Sequence, residues 1–380
     1  MVESGKTLIV PLIRNLPDKS GGIQKGVFQL YDNLRANGFD VEFILNSNVE
    51  KVTLFDGFKI NHLKFPPIYT YPLSKRYFEY SRCKKKIFNY FKNNYQKKKI
   101  IVIAHWAPDF FLLSELGCKF GFKTIFSFQG PYHTKKFILL YNRNQFWLRH
   151  SKKKLDTINQ FIFISDDLFN NAMLSSGIPK DKSIVISNGI VVNDKVSANN
   201  NNNLKIVMAT RLVTNKNIDF VLNTLSILKT KGLNFVCDIY GDGPEGENIK
   251  TLILVNNLKE FVFLKGYSAN IDQLLFKYDY YISASLFEGM PRGPLEAINN
   301  NVIPILSDIP IHREIIPEDL NIFFSLDDNL SLAKKITEII DLADEDRDSL
   351  KKELRRNLIG KYDIEIRFQK FQNLFKSLIK

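Results

Sequence analysis

At 380 residues, 44% of them hydrophobic and 24% charged, the chain is long enough for two domains with separate cores, and its composition is that of a globular rather than a disordered protein. Its three cysteines, Cys83, Cys118 and Cys237, are odd in number and far apart, which argues against a disulfide framework or a zinc cluster and for a reducing cytosol; no run approaches the roughly 20 apolar residues of a membrane span. The net charge of +13 is unevenly held: residues 1–190 carry 29 Lys and Arg against 14 Asp and Glu, the remainder 24 against 26, so the first half calls for an anionic partner such as lipid headgroups, a diphosphate carrier or nucleic acid.

Taken in order, residues 6–13 read as a buried first strand, whose apolar run is too short for a signal sequence and lacks a small-residue cleavage site. A turn over 15–22 leads into Val27, Leu30 and Leu34, which have helical spacing. Gly21 and Gly22 in that turn allow a close backbone approach, of the kind a ligand's diphosphate needs, and equally suit an ordinary turn. Residues 39–45 and 51–54 read as strands, and 59–72 alternates apolar and polar residues before ending in prolines.

From 75 to 99 the pattern becomes a basic and aromatic helix, with Lys75, Arg76, Arg82, Lys84, Lys85, Lys86, Lys92, Lys97, Lys98 and Lys99 among Tyr77, Phe78, Tyr80, Phe88, Tyr90, Phe91 and Tyr95. Two readings stand side by side: aromatics in the core with lysines in water, or a face for an anionic membrane surface, where each basic residue adds about 1 kcal/mol. Residues 100–104 form a strand with His105 and Trp106 at its end, and 124–128 a strand that runs into Gln129 and His133. Strand ends of open α/β sheets face the ligand crevice, which makes His105, Gln129 and His133 acceptor-side candidates. The apolar segment 137–148, followed by Arg149 and Lys152 to Lys154, extends either a lipid-facing surface or the core. Strands follow at 161–165, where Ser165 and Asp166 are helix-cap candidates, and at 183–190.

Five consecutive asparagines at 199–203 mark the clearest boundary. Beyond it a second α/β unit begins with a strand at 204–209, the loop 210–216 and a helix at 218–228. Arg211 and Lys216 put two cations at that strand's end, an arrangement suited to a diphosphate. A strand at 235–240 runs into a turn with Gly241 and Gly243, and another strand ends at Gly266. The most informative stretch is 280–298, where an apolar strand breaks into the turn Gly289-Met290-Pro291-Arg292-Gly293 and a helix follows. Pro294 suits a first helical position, so the N-terminal N–H groups and the positive dipole end face the loop, a site for phosphate. Glu288 and Glu296 flank it, the latter expected in the first helical turn. Each carboxylate suits sugar hydroxyls as hydrogen-bond donors; a helix cap or a solvated acid is the plainer alternative. A strand at 302–308, a helix from Ser331 and an apolar-periodic tail at 362–380 complete the chain.

The stretch 280–298 closely resembles the E-x7-E signature of retaining glycosyltransferases of the GT-B fold, glycosyltransferase family 4 (glycosyl transferases group 1). Residues 209–217 resemble the family's G-R-L-x-x-x-K-G segment, with Asn217 for its last Gly, and Gly241-Asp-Gly-Pro244 its G-x-G-P turn; Gln129 stands where the family often has His. The resemblance implies an α/β protein with two Rossmann-like α/β/α domains and an interdomain cleft: an acceptor-binding domain over 1–190, a nucleotide-sugar-binding domain over 191–361, and a helix at 362–380 that packs back on the first. It also implies that Glu288, Arg211 and Lys216 are catalytic, and that Glu296, Gly289, Met290, Pro291, Arg292, Gly293, Gly21, Gly22, Gly241 and Gly243 bind the donor. No cofactor or metal is implied, since cations and the helix N-terminus meet the charge on the departing diphosphate, and no Asp-x-Asp string is present. The expected partners are a nucleotide sugar, a glycan acceptor that is polyprenyl-diphosphate-linked in surface polysaccharide (O-antigen, capsule or lipopolysaccharide) synthesis, and the inner face of the plasma membrane, with no nucleic acid. A nucleic-acid-directed protein and a non-catalytic nucleotide-sugar binder are the other classes that fit.

Overall fold

A computed structural model describes residues 6–13, 22–65, 73–95, 99–105, 109–130, 155–192 and 204–379. Expectations for Gly21, Trp106, His133, the segment 137–154 and the asparagines 199–203 lie outside these residues, as do the side chains of Gly22, Lys75, Arg76, Tyr77, Phe78 and Tyr80, and Lys97 and Lys98 altogether. The chain divides into two units, Met1–Ser187 with Arg367–Lys380, and Asn188–Ile366.

The first unit is built as β1 (Leu8–Ile13), α1 (Gly22–Ala36), β2 (Asp40–Asn46), β3 (Lys51–Phe55), β4 (Phe58–Leu63), α2 (Leu73–Asn94), β5 (Ile100–Ala104), α3 (Phe110–Phe120), β6 (Lys123–Phe128), β7 (Gln160–Phe163), α4 (Asp166–Ser175) and β8 (Ser183–Val185). Its sheet runs β3-β4-β2-β1-β5-β6-β7-β8, parallel except for the β3–β4 hairpin. Every residue of β1 and β5 is buried, as central parallel strands covered on both faces must be. Val27, Leu30 and Leu34 line the buried face of α1. Ser165 caps α4 by accepting from Leu168 N at 3.3 Å. In α2 the aromatics go inward: Phe88 and Phe91 are buried, as is Tyr95 just beyond the helix, while Arg82, Lys85, Lys86 and Lys92 stay in solvent. The tail returns to this unit, where Phe375 is buried with its ring 5.9 Å from that of Phe39, and Arg367 Nη1 donates to Gly26 O at 2.8 Å.

The second unit contains β9 (Leu204–Ala209), α5 (Ile218–Thr230), β10 (Phe235–Tyr240), α6 (Gly246–Val255), β11 (Val262–Gly266), β12 (Tyr280–Ser283), α7 (Arg292–Asn299), β13 (Ile303–Ser307), α8 (Pro310–Ile315), β14 (Phe323–Phe324), α9 (Ser331–Ile340) and α10 (Asp344–Tyr362), with α11 (Ile364–Ile379) passing into the tail. Its sheet is parallel throughout, in the order β11-β10-β9-β12-β13-β14. The unit begins at Asn188 because the following residues pair within it: Ile190 bridges Asp363, and a side chain on Gly189 would lie 2.6 Å from Ile364 Cα.

Candidate active site in the second unit

In the second sheet β9 has β10 on one side and β12 on the other, so the chain's direction of travel across the sheet reverses between β9 and β12. Loops that leave the carboxyl ends of two such strands diverge and open a crevice, the usual ligand position in open α/β sheets. The two loops are residues 210–217 and 284–291. They are laced together: Leu286 N donates to Asn215 O at 2.9 Å and Asn215 Nδ2 to Phe287 O at 3.4 Å. The short helical turn Thr214–Lys216 ends at Asn217 with φ of 53°, a left-handed conformation that Asn tolerates better than other side chains, which explains how it replaces glycine.

This lacing brings Lys216 against Glu288. The ammonium forms an ion pair with Glu288 Oε1, with both side chains 14% exposed, and Ser285 Oγ donates to the same oxygen at 2.8 Å. A second pair lies one turn into the helix, where Arg292 Nε meets Glu296 Oε1 at 3.3 Å with exposures of 10% and 15%. Arg292 also reaches Gly189 O at 3.4 Å. Shelter of this degree makes both pairs less screened than surface ion pairs. Arg211, by contrast, is exposed, and its guanidinium makes no hydrogen bond among the described residues.

Two sequence expectations need correction. Helix α7 starts at Arg292 with Pro291 as its cap residue (φ −73°, ψ 122°), so Pro294 is its third residue rather than its first. Glu296 is consequently fifth, beyond the first turn, and does not cap the helix. The two prolines change the helix end chemically. Of the four N–H groups that an α-helix leaves without intrahelical partners, those at Pro291 and Pro294 do not exist, and the donors that remain belong to Arg292 and Gly293. Gly293 is required for packing: a Cβ there would lie 2.1 Å from the Tyr281 hydroxyl, which itself donates to Ala209 O at 3.1 Å. Burial first, then the charges of Glu288 and Glu296, keep the Tyr281 phenol protonated far above its ordinary range. Gly289, Met290 and Pro291 are all buried, with Met290 7% exposed.

Gly241 and Gly243 have φ of 148° and 154°, and added Cβ atoms would fall 1.7 Å from Thr210 O and 2.3 Å from Leu212 O. Both therefore let the turn after β10 lie flush on the Arg211 loop, which is held by Leu212 N donating to Asp242 O at 2.9 Å. Both glycines thus pack against the backbone on either side of Arg211.

In the first unit the structure brings His105 and Gln129 together. Tyr31 Oη lies 2.9 Å from His105 Nε2 and Gln129 Nε2 lies 3.3 Å from His105 Nδ1, with Gln129 also donating to Ser127 Oγ at 2.7 Å. Burial, then the Arg367 charge, push the His105 imidazole down to about 4, so it is neutral. Sequence reasoning missed Asn215, Tyr281, Ser285, Ser307 and His312 in the second unit. A usable signal for the last two was their place at the end of a further parallel strand of that sheet. Among the described residues, no group of three or more His, Cys, Asp and Glu is placed to hold a metal ion, and no helix is long and apolar enough to cross a membrane.

The profile described as "Glycosyl transferases group 1" matches residues 192–357 and that described as "Glycosyltransferase Family 4" matches residues 20–194. A poly(ribitol-phosphate) alpha-N-acetylglucosaminyltransferase of Staphylococcus aureus is 28% identical over 173 residues, 44% of this chain and 34% of that protein; the matched region thus spans about a third of that curated relative. The crystal structure of a glycosyltransferase from Rickettsia africae superposes with a TM-score of 0.80 at 18% identity, covering 99% of both chains. Anabaena HepE in complex with UDP and glucose gives 0.74 at 14% identity, over 97% of this chain and 99% of that one. At these identities the structural likeness concerns the fold.

Proposed function

The chain belongs to the glycosyl transferases group 1, glycosyltransferase family 4, and from that premise we propose that it moves a sugar from a nucleotide-sugar donor to a glycan acceptor with retention of anomeric configuration. The observation that carries this reading is the Lys216–Glu288 pair on two loops laced together at the reversal of the second sheet. Glu288 holds the transferred sugar near its reacting carbon, Glu296 takes the ribose hydroxyls, and Arg211, Lys216 and the Arg292 and Gly293 N–H groups meet the charge growing on the leaving diphosphate. With those cations in place the step needs no metal. The acceptor attacks from the face that the diphosphate leaves, and a phosphate oxygen takes the acceptor's proton. UDP is the favoured nucleotide, supported by the UDP complex of HepE.

The acceptor carries phosphate. A polyprenyl-diphosphate-linked glycan fits the excess of 29 basic over 14 acidic residues in 1–190 and places the enzyme at an anionic membrane surface, to which the exposed Arg82, Lys85, Lys86 and Lys92 contribute. A polyol-phosphate chain is the second reading, favoured by the name of the S. aureus relative. Nucleotide release from UDP-, GDP- and ADP-sugars, with lipid-linked or polyol-phosphate acceptor, tests the proposal on wild type, Glu288→Ala and Arg211→Ala. One donor and one acceptor are expected to work, with a loss of about 10²–10³-fold in each variant. Donor binding without release under any condition would make the protein a binder. A chain that stays off anionic liposomes at physiological salt would remove the membrane part.

A further inference from the structure

His312, in α8, is fully buried. Its Nδ1 lies 2.7 Å from the Ser307 carbonyl oxygen, a group that only accepts, so Nδ1 carries the ring proton. Ser307 Oγ donates to the Ser285 carbonyl at 2.7 Å, and Ser285 Oγ donates to Glu288 Oε1 at 2.8 Å, the oxygen that Lys216 also meets. Step by step the imidazole holds Ser307, Ser307 holds the backbone of Ser285, and Ser285 holds the carboxylate. Ser307 and Ser285 are 0% and 1% exposed, so the chain is closed off from bulk solvent.

With one proton on Nδ1, Nε2 is a bare lone pair, and it is buried without a hydrogen-bond partner among the described residues. Leaving an acceptor so costs about 1–3 kcal/mol, a cost that an apolar side chain of the same volume would avoid. The charged groups that bear on the ring are Glu288, Lys216 and Asp308, and a proton on Nε2 would set a second cation near Lys216. We propose that His312 is a positioning residue for Glu288, held as the neutral Nδ1–H tautomer, whose bond to Ser307 keeps the Ser307–Ser285–Glu288 chain in register. For its kinetic consequence, though not for the tautomer, this rests on the transferase reading.

Two experiments on the full chain test it. In a histidine ¹⁵N spectrum between pH 6 and 8, the His312 signals, assigned by their loss in His312→Asn, are expected to show a protonated Nδ1 and an unprotonated Nε2; the opposite tautomer or an imidazolium overturns the proposal whether or not the protein turns over any donor. In kinetics, Asn places an amide nitrogen at the Nδ1 position and Gln places one at the Nε2 position. His312→Asn is expected to keep kcat within about threefold of wild type, and His312→Gln to lose about 10–100-fold in kcat with donor KM nearly unchanged, as for loss of a group that orients a reacting side chain. Equal losses in the two variants, or a better Gln variant, overturn it. A wild type inactive on every donor counts against the transferase reading alone and leaves the spectrum to decide the His312 assignment.

Discussion

Glu288 serves two neighbours, the Lys216 ammonium and the Ser285 hydroxyl, on a single oxygen, so removing either cation or carboxylate leaves a partly sheltered charge behind. Lys216→Ala is expected to lower kcat by about 10²-fold or more, through lost stabilisation of the leaving group and a freed Glu288; steady-state kinetics against the accepted donor checks it, and a change confined to KM would place Lys216 in ground-state binding instead. Arg292→Ala acts on Glu296 through the 3.3 Å contact. On the role proposed for Glu296, the expected effect is a rise in donor KM of about 5–30-fold with a smaller change in kcat, the size of a hydroxyl-orienting carboxylate's contribution of about 1–2 kcal/mol to binding. The two glutamates and the cations Arg211, Lys216 and Arg292 were all legible as site candidates in the sequence. That Lys216 meets Glu288 and Arg292 meets Glu296 was not, since a motif prescribes residue types and spacing and leaves pairings open.

At the scale of elements, the strand β12, the loop after it and α7 form one packed unit around Tyr281. The strand, loop and helix were readable from the apolar run and the Gly and Pro punctuation. The helix start was misplaced by two residues because Pro294 satisfies a third helical position as well as a first: neither has an intrahelical partner for its N–H. Packing of Gly293 against Tyr281 yields a testable coupling. Gly293→Ala puts a Cβ at 2.1 Å from the Tyr281 hydroxyl and 2.8 Å from its Cζ, and is expected to destabilise by about 2 kcal/mol or more, in the range of overpacked cores. In a Tyr281→Phe background, which itself loses about 1 kcal/mol with the bond to Ala209 O, the same change is expected to cost less. Denaturant unfolding of the four chains gives the interaction energy, and strict additivity would refute the contact.

At the scale of the whole molecule, two described histidines, His105 in the first unit and His312 in the second, are pushed down to about 4, in each case mainly by burial. Both are neutral in the folded chain and take a proton near pH 6.5 when unfolded. Their contribution is therefore present in full above pH 6.5, declines as pH falls through the interval from 6.5 to 4, and is exhausted below 4. By linkage each is expected to withdraw roughly 3 kcal/mol across that window. Thermal melts from pH 7 to pH 4 are expected to show a steep loss of stability that His312→Asn makes shallower for the second unit; an unchanged slope in the variant would show that His312 titrates normally.

The features legible along the chain are local: strands from period-two and continuous apolar runs, helices from 3.6-residue spacing, turns from glycine and proline, a charge asymmetry read by counting, and a candidate site marked by the E-x7-E string. These are set by near neighbours along the chain, which is why α/β order and the Glu288 loop could be read without coordinates. Tertiary structure alone decided which groups meet. The order β10-β9-β12-β13 brings side chains from three strand ends to one edge, so Lys216 reaches Glu288 across 72 positions of sequence and His312 reaches it through two serines. It also decided burial, sending Phe88 and Phe91 of α2 inward while leaving Arg82, Lys85, Lys86 and Lys92 exposed. Long-range pairing and desolvation depend on strand order and packing, and neither has a signature in the residues next to Lys216, Glu288 or His312.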